Sequence, residues 1–287
     1  MAGLRDDAAV VEVPEGATLV VSVDSVVDGV HFDLGLCSPL DVGWKALMGA
    51  LSDLAAMGAQ PLGALVALCV PPATGRGDLT LGITAGVAEA ADASGCPVVG
   101  GDLSAAPALV VAVTVMGTVA GGAPVRRDGA RPGDTILVTG PFGGSAAGLR
   151  TLRAGQAGPA ASYRRPWARL SEGEVARQAG AHAMIDVSAG LALDLHRVAD
   201  ASEVGFALDP GAIPVAEGAT LEEALGGGED YELVVVMAPG DLPGYQRRCA
   251  AAGLRPPVPI GTVGADVGAR RLGDEPLARL GWQHAVG

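Results

Sequence analysis

Hydrophobic and polar positions in the first part of the chain repeat with the periods of strands and helices. β-Branched residues dominate residues 18–23, which predicts a strand, whereas Leu47, Leu51 and Leu54 fall on one face of a predicted helix. Asp41 is suited to cap the start of that helix. The predicted elements are strands at 18–23, 62–70, 98–99 and 109–119 and helices at 41–57 and 79–93. Because strands and helices alternate, we expect an α/β layer structure.

A second set of elements follows the turn Arg131-Pro-Gly-Asp134. It consists of strands at 136–139, 205–208, 231–237 and 259–263, a helix after the glycine-rich bend 140–145, a helix that ends near Ala201, and a helix at 245–252. Turns rich in proline and glycine are typical of domain boundaries. We therefore predict two domains, residues 1–132 and 133–287.

The charge of the chain argues against one class of partner. Its 287 residues carry a formal net charge of −13 and no basic stripe, so we expect no nucleic-acid binding. Lys45 is the only lysine, and because a P-loop needs a Gly-Lys pair, which the sequence lacks, that motif is excluded. The phosphates of any bound nucleotide must therefore be neutralised by metal ions and arginine.

Targeting and redox features favour the cytoplasm. Residues 1–7 lack the apolar core of a signal peptide, and the longest apolar stretch, 107–119, is too short to cross a membrane as a helix. The four cysteines are widely spaced, which argues against a disulfide framework or a zinc site. We expect a cytoplasmic protein with no membrane partner.

Aspartates stand at several predicted strand and helix ends. Asp53 lies in the last turn of the first predicted helix, where the macrodipole disfavours a carboxylate by about 0.3–1 kcal/mol unless a cation is near. Asp102 follows a short predicted strand and two glycines, which let a ligand approach the backbone. Each can also be an ordinary turn or solvated acid, as can Asp24 and the adjacent Asp6 and Asp7.

Two further motifs carry acids beside predicted element ends. Asp186 and Ser188 precede a helix, where Ser188 suits an N-cap and the helix end could also receive a phosphate. Glu229 and Asp230 lie either in a simple hairpin turn or facing a pocket. Isolated carboxylates without a histidine or cysteine cluster suit Mg²⁺ better than zinc or iron. Such a set can neutralise charge on a transferring phosphoryl group.

The motifs, taken in order, resemble those of the thiamine-monophosphate kinase family, and the resemblance covers nearly the whole chain. The most specific of them is Ser-Asp-Leu-Ala-Ala-Met-Gly. The matching segments are Asp6-Asp7-Ala-Ala-Val, Asp24-Ser-Val-Val-Asp-Gly-Val-His-Phe32, Lys45-Ala-Leu, Leu51-Ser-Asp-Leu-Ala-Ala-Met-Gly-Ala59, Gly100-Gly-Asp102, Arg127-Asp-Gly-Ala-Arg-Pro-Gly-Asp134, Ser145-Ala-Ala-Gly-Leu149, Asp186-Val-Ser188 and Gly227-Gly-Glu-Asp-Tyr-Glu-Leu233.

The resemblance implies a two-domain fold of the aminoimidazole-ribonucleotide-synthetase type. Its N-terminal sheet-and-helix domain binds ATP and Mg²⁺ and pairs in a homodimer, and its C-terminal domain is α/β. The implied reaction transfers the γ-phosphate of ATP to thiamine monophosphate and gives thiamine diphosphate. Several Mg²⁺ ions and ATP are the implied cofactor and co-substrate.

The resemblance also implies a role for individual residues. The implied metal ligands are Asp6, Asp7, Ser22, Asp24, Asp53, Asp102 and Asp186. The implied ATP-binding residues are Asp102, Leu103, Arg127 and Ser188. The implied substrate-binding residues are His31, Glu229 and Trp282, with Trp282 offering a ring face to thiamine. No residue is implied to act as a strong general base.

Several positions depart from the family pattern. Ala189 stands where the family has a metal-binding aspartate, and Ala105 stands where it has an arginine. Arg5 replaces a glycine, and the family's preceding helix has no counterpart, so we expect a shortened start. Three interpretations stay open: an active thiamine-monophosphate kinase, a paralogue that acts on another small molecule, and a non-catalytic protein that binds nucleotides or thiamine phosphates.

Overall fold

The computed structural model describes residues 11–72, 76–156 and 160–283. The chain divides into two compact units, each with its own sheet. The first unit comprises the residues up to Leu54 together with Ala59–Ala123 and Arg164–Ala168. The second comprises Ala55–Gly58, Pro124–Tyr163 and the residues from Arg169 onward. The expected mixed α/β fold is confirmed.

The first unit is built on a four-stranded sheet with the strand order β1-β4-β2-β3. Strands β2 and β3 run parallel, and the β1–β4 and β2–β4 pairs are antiparallel. Its elements are β1 (Thr18–Val27), α1 (Pro39–Ala56), β2 (Gln60–Val70), α2 (Arg76–Ser94), β3 (Val98–Ala105) and β4 (Val110–Val119).

One face of this sheet is buried under the helices. Alternate residues of β4 are fully buried, as in Val111 and Val113, because successive side chains of a strand point to opposite faces. Gly117 lies on the same face, where a Cβ would meet the Leu54 side chain of α1 at 2.9 Å. The opposite face is exposed and apolar, since Val21 and Val23 of β1 are 55% and 66% exposed.

Strand β3 is longer than the sequence pattern predicted. It continues through both glycines to Ala105, so the prediction that Asp102 follows the end of a strand was wrong. Asp102 lies inside the strand, opposite Ala67 of β2. The glycines extend the pairing because β3 runs very close to β2 at this point: a Cβ at Gly101 would lie 2.2 Å from the Val66 carbonyl oxygen.

The second unit is built on a seven-stranded mixed sheet with the order β11-β10-β7-β9-β5-β8-β6. Its elements are β5 (Thr135–Val138), α3 (Gly144–Arg153), α4 (Ala161–Arg164), α5 (Leu170–Gln178), β6 (Ala183–Asp186), α6 (Leu191–Ser202), β7 (Gly205–Leu208), α7 (Leu221–Gly226), β8 (Leu233–Met237), α8 (Leu242–Ala251), β9 (Val258–Gly264), β10 (Arg270–Leu272) and β11 (Glu275–Pro276).

Helices cover both faces of the seven-stranded sheet at its centre. All five residues of β8 are buried: Val234 and Val236 pack in a cluster with Leu195 of α6, and Val235 packs in a second cluster with Tyr245 of α8. Burial on both faces explains why β8 is a continuous apolar run rather than an alternating one. Within the described ranges, none of the helices has the length and hydropathy needed to cross a bilayer.

Candidate functional site

In the first unit, Ser22 of strand β1 contacts Asp53 of helix α1. Ser22 lies on the helix-covered face of β1, and its Oγ donates a hydrogen bond to Asp53 Oδ2 at 2.5 Å. Asp24, two residues further along the strand, faces the same side, and its Oδ1 accepts from the Ser25 amide at 2.8 Å. The structure thus brings together three of the predicted metal-binding side chains on one side of the sheet.

His31 is held by the backbone and by the only lysine. Its Nδ1 accepts a hydrogen bond from the Val27 amide at 3.1 Å. Lys45 is 1% exposed, and its Nζ donates to the His31 carbonyl oxygen at 3.0 Å. The buried ammonium of α1 therefore fixes the turn that presents the His31 ring, a role that sequence reasoning did not assign to Lys45.

Asp102 and Leu103 lie at a mostly apolar cavity of about 840 Å³. The cavity lies between β2, β3 and α2, and Val66 and Val87 contribute to its walls. Asp102 is exposed, and its Oδ2 accepts a hydrogen bond from Ser104 Oγ at 2.7 Å. The cavity therefore offers a mostly apolar surface.

In the second unit, three chain segments converge next to Asp186, which ends β6 and is 7% exposed. The Glu229 amide donates a hydrogen bond to the Ser188 carbonyl oxygen at 2.8 Å. The Trp282 amide donates to the Ala189 carbonyl oxygen, also at 2.8 Å. Main-chain hydrogen bonds therefore gather the predicted residues of the second unit that lie far apart in sequence.

Ser188 is not the N-cap of α6, so that prediction was wrong. The N-cap is Gly190, with φ 133°, a value that glycine tolerates readily. The amides of Ala189 and Gly190 instead donate to Asp194 Oδ2 at 2.9 and 3.1 Å, and Asp194 pairs with Arg197. Because Asp194 reaches back from inside the helix, it takes the place that the sequence assigned to the serine hydroxyl.

Two acids of the Gly-Glu-Asp-Tyr-Glu motif, Asp230 and Glu232, bind other segments of the second unit and hold the motif in place. Glu232 is 3% exposed, and its carboxylate accepts two hydrogen bonds from Arg169 at 2.6 and 2.9 Å and one from Thr139 Oγ1 at 2.7 Å. Asp230 accepts from amides at the start of α3, and burial raises its pKa to about 7. The motif signalled both residues, but only the structure shows what they contact.

The remaining predicted residues lie apart from these contacts or beyond the described ranges. Arg127 belongs to the second unit and is exposed, and its carbonyl oxygen accepts a hydrogen bond from Ser202 Oγ at 2.9 Å. Asp6 and Asp7 lie outside the described residues. In the part of the chain that the structure describes, no three histidine, cysteine or acidic residues form a metal-binding group. The full metal set therefore stays a prediction.

Family profiles match both units of the chain. The profile of AIR synthase related protein, N-terminal domain, matches residues 5–119, and that of AIR synthase related protein, C-terminal domain, matches residues 131–272. Together with the two sheets and the acids described above, these matches define an AIR synthase related protein.

Relatives narrow this class to one family. A thiamine-monophosphate kinase of Methanospirillum hungatei is 39% identical over 81% of this chain and 79% of its own length. The structure of thiamine-monophosphate kinase from Stenotrophomonas maltophilia matches with a TM-score of 0.86 at 33% identity, over 97% of this chain and 92% of its own. AaThiL complexed with AMPPCP and TMP matches with a TM-score of 0.83 at 29% identity, over 96% and 90%. The chain belongs to the thiamine-monophosphate kinase family, which confirms the resemblance.

Proposed function

We propose that this chain transfers the γ-phosphoryl group of ATP to thiamine monophosphate. The observation that carries the proposal is the convergence of the segments bearing Ser188, Glu229 and Trp282 in a chain of the thiamine-monophosphate kinase family. AaThiL, which holds a nucleotide analogue and TMP together, supports the same pair of ligands here. The product is thiamine diphosphate.

The proposed reaction is a direct in-line transfer. A terminal phosphate oxygen of thiamine monophosphate forms a bond to the γ-phosphorus as the bond to the β,γ-bridging oxygen breaks, and ADP leaves with that electron pair. Because the attacking oxygen is already anionic, no strong general base is required. The protein contributes alignment of the two phosphates and neutralisation of their charge.

We infer that Mg²⁺ is held by oxygen ligands of the kind that the family resemblance implies. The candidates are Ser22, Asp24, Asp53, Asp102 and Asp186, with Asp6 and Asp7 beyond the described residues. A hydroxyl and carboxylates are the donors that Mg²⁺ prefers, and the contact between Ser22 and Asp53 supports their use as a shared pair. When bound, the ion supplies positive charge beside the phosphates.

The substrate side of the proposed site combines a ring face with a carboxylate. Trp282 is 53% exposed while its amide is anchored to the Ala189 carbonyl oxygen, so its ring can stack on a thiamine ring. Glu229, in the adjacent loop, complements the positive charge of the thiazolium. His31 is the third residue proposed for the substrate.

The nucleotide side of the proposed site uses the cavity beside β3. Its apolar walls suit a purine ring, and Asp102 and Leu103 stand at its edge. Arg127 and Ser188 are the other residues proposed to contact the nucleotide. Arginine suits this role because its planar guanidinium binds phosphate oxygens in pairs.

We also propose a homodimer formed through the exposed face of the four-stranded sheet. Leu19, Val21 and Val23 of β1 point to this face and are 45%, 55% and 66% exposed, and Leu65 of β2 adds to it. Monomeric proteins rarely leave a continuous apolar sheet face in contact with water. A second copy of the chain, which presents the same face, would cover it.

A second candidate function is binding without efficient transfer. Ala189 provides no carboxylate where the family has one, its side chain is 7% exposed, and its amide is bonded to Asp194. Loss of one metal ligand lowers phosphoryl transfer more than it lowers nucleotide affinity, since the charge develops in the transition state. This observation favours a protein that binds both ligands and turns over slowly.

One experiment separates the two functions. Purified protein is incubated with ATP, Mg²⁺ and thiamine monophosphate, and thiamine diphosphate is measured by chromatography. ATP binding by calorimetry without product formation would contradict the kinase proposal and leave the binding function. We expect Ala189→Asp to raise kcat and the uncharged, isosteric Ala189→Asn to leave it unchanged. Equal rates in both variants would show that the missing carboxylate does not limit turnover.

A further inference from the structure

Asp230 is a half-buried acid that belongs to neither the proposed metal set nor the proposed substrate set. Its Oδ2 accepts a hydrogen bond from the Gly143 amide at 2.8 Å, and its Oδ1 accepts one from the Ser145 amide at 3.2 Å. Gly143 is the N-cap of α3, and it has no side chain to bond these amides. Asp230 therefore closes the start of α3 from 87 residues further along the chain.

The backbone on both sides of Asp230 has an unfavourable conformation. Glu229 and Tyr231 have φ values of 55° and 51°, in the left-handed region that residues with a Cβ avoid. Their amides donate to the carbonyl oxygens of Ser188 and Val187 at 2.8 and 3.0 Å. Such a loop keeps its shape only where its contacts hold it. The Asp230 carboxylate supplies the contact on the side of α3.

We propose that Asp230 is a positioning residue for Glu229. Its carboxylate ties the 229–231 loop to α3 and thereby holds Glu229 in the arrangement that the proposed reaction uses, so this inference rests on the proposed function. Asp230 acts through these neighbours and touches neither substrate. The glycine-rich bend before α3 is consequently a support for the loop, because Asp230 occupies its amides.

Charge as well as shape contributes to this contact. Burial raises the pKa of Asp230 to about 7, whereas the Gly143 and Ser145 amides act in the opposite direction. The amides therefore favour the charged form, which accepts both hydrogen bonds. Asp230→Asn preserves the size of the side chain but removes the charge and one acceptor, so it is the conservative test.

Hydrogen–deuterium exchange tests the contact without substrate. In D230N we expect exchange about 10-fold faster at the Gly143 and Ser145 amides and also in the 229–231 loop, since both lose the same support. The matched control is Asp241→Asn. Asp241 is the exposed N-cap of α8, and its side chain makes no capping hydrogen bond. Unchanged exchange in D230N overturns the proposal, and so does faster exchange confined to α3.

A second variant keeps the test decisive if D230N does not fold, as judged by circular dichroism. Ser145→Pro removes one amide donor and leaves the carboxylate intact, and proline is tolerated in the first turn of a helix. We expect the 229–231 loop to exchange faster in this variant as well. A loop that exchanges as in the wild type would show that it does not depend on α3.

Steady-state kinetics test whether Asp230 acts through Glu229. We expect D230N and Glu229→Gln each to raise the KM for thiamine monophosphate about 10-fold, with the double variant no worse than E229Q and the KM for ATP unchanged. Multiplied effects, about 100-fold in the double variant, would show that the residues act independently and overturn the proposal. If the wild type makes no thiamine diphosphate, the proposed function fails, and the exchange result alone decides the positioning role.

Discussion

At the scale of single residues, several buried charged groups in the described part of the chain have partners. Glu232 is held by Arg169 and Thr139, and Lys45 donates to the His31 carbonyl oxygen. Burial raises the pKa of Asp194. This rise is opposed by the amides of Ala189 and Gly190 and by the Arg197 guanidinium. A charged group withdrawn from water requires such compensation. Removing the partner of a buried charge should therefore destabilise the fold more than the exposure of the removed side chain suggests.

We expect Arg169→Met to lower the free energy of unfolding by about 3–5 kcal/mol, because it leaves the Glu232 carboxylate buried without its cation. Urea denaturation followed by circular dichroism measures this change. The control is Arg126→Met, since Arg126 and its partner Asp128 are both exposed at the surface, and the midpoint should not move. An equal response of the two variants would contradict the argument.

His196 makes stability depend on pH. Its Nε2 faces the Leu277 carbonyl oxygen at 3.0 Å and therefore carries the proton, so Nδ1 accepts from Arg270 at 3.2 Å. Burial lowers the pKa of His196 below its usual range, and the nearby charges of Arg270 and Arg279 lower it further. The hydrogen bond to Leu277 and the charge of Asp200 act in the opposite direction but do not cancel the decrease. The unfolded chain therefore binds a proton at higher pH than the folded one does.

We accordingly expect the free energy of unfolding to fall as the pH drops through about 6.5, the usual histidine pKa, and to stop falling below the lowered pKa. His196→Asn removes this titration, so its stability should depend less on pH between 7.5 and 5. Denaturant unfolding of both proteins at matched pH values measures the difference. Parallel curves would show that His196 does not contribute.

Contacts between distant segments were the part of the site that the sequence could not predict. The motif order pointed to Ser188, Glu229 and Trp282, whose chain segments the fold brings together, and their roles stay predictions. It assigned the cap of α6 to Ser188, because the sequence does not reveal that Asp194 reaches back to the same amides. It did not assign a contact to Asp230, since α3 lies far away in sequence.

At the scale of elements, the long periodic segments were predicted well. Helices α1 and α2 and strands β2 and β4 lie close to their predicted bounds. Helix α5 and strand β6 were missed because both are short, which leaves little periodicity to recognise. Helix α7 was also missed, although its capping box of Thr220 and Glu223 is visible in the sequence.

The crossing of α1 and α2 depends on two glycines. A Cβ at Gly86 would lie 1.9 Å from the Leu40 carbonyl oxygen, and one at Gly43 would lie 2.0 Å from that of Ile83. We expect Gly86→Ala to destabilise the first unit by about 2–3 kcal/mol, because the backbones must separate. Thermal unfolding measures the loss.

The control for this prediction is Gly244→Ala in helix α8. A Cβ there would approach only the end of the Arg247 side chain, at 3.9 Å. Because alanine favours helix more than glycine does, this variant should be more stable by about 0.5–1 kcal/mol. If Gly86→Ala is also stabilising, close helix contact is not what requires glycine at this position.

At the scale of the whole molecule, the sequence predicted two sheet-containing units but not their composition. Residues 55–58 count with the second unit and Arg164–Ala168 with the first. In the first unit, Trp44 Nε1 donates to the Pro166 carbonyl oxygen at 2.7 Å, and Arg165 lies over the Trp44 ring. The hydrophobic pattern does not show that a segment of one half of the chain packs with the other half's unit. The predicted boundary after residue 132 therefore stays a prediction.

The proposed dimer makes a prediction at the same scale. We expect the wild type to sediment as a dimer and the double variant Val21→Lys, Val23→Lys to sediment as a monomer, because two charges per strand cannot be buried in the contact. Its melting temperature should also lose the concentration dependence of an associating protein. Val13→Lys, an exposed valine before β1, is the control and should remain dimeric. A monomeric wild type would contradict the dimer.

Lys45 has a practical consequence for measuring these effects. It is the only lysine of the chain and is 1% exposed beneath the turn of His31. An amine-reactive reagent can reach its Nζ only in molecules whose first unit has opened locally or completely. The labelling rate of this single side chain, read by mass spectrometry, therefore reports the population of opened molecules. The wild-type protein thus contains its own unfolding reporter, and no engineered probe is required.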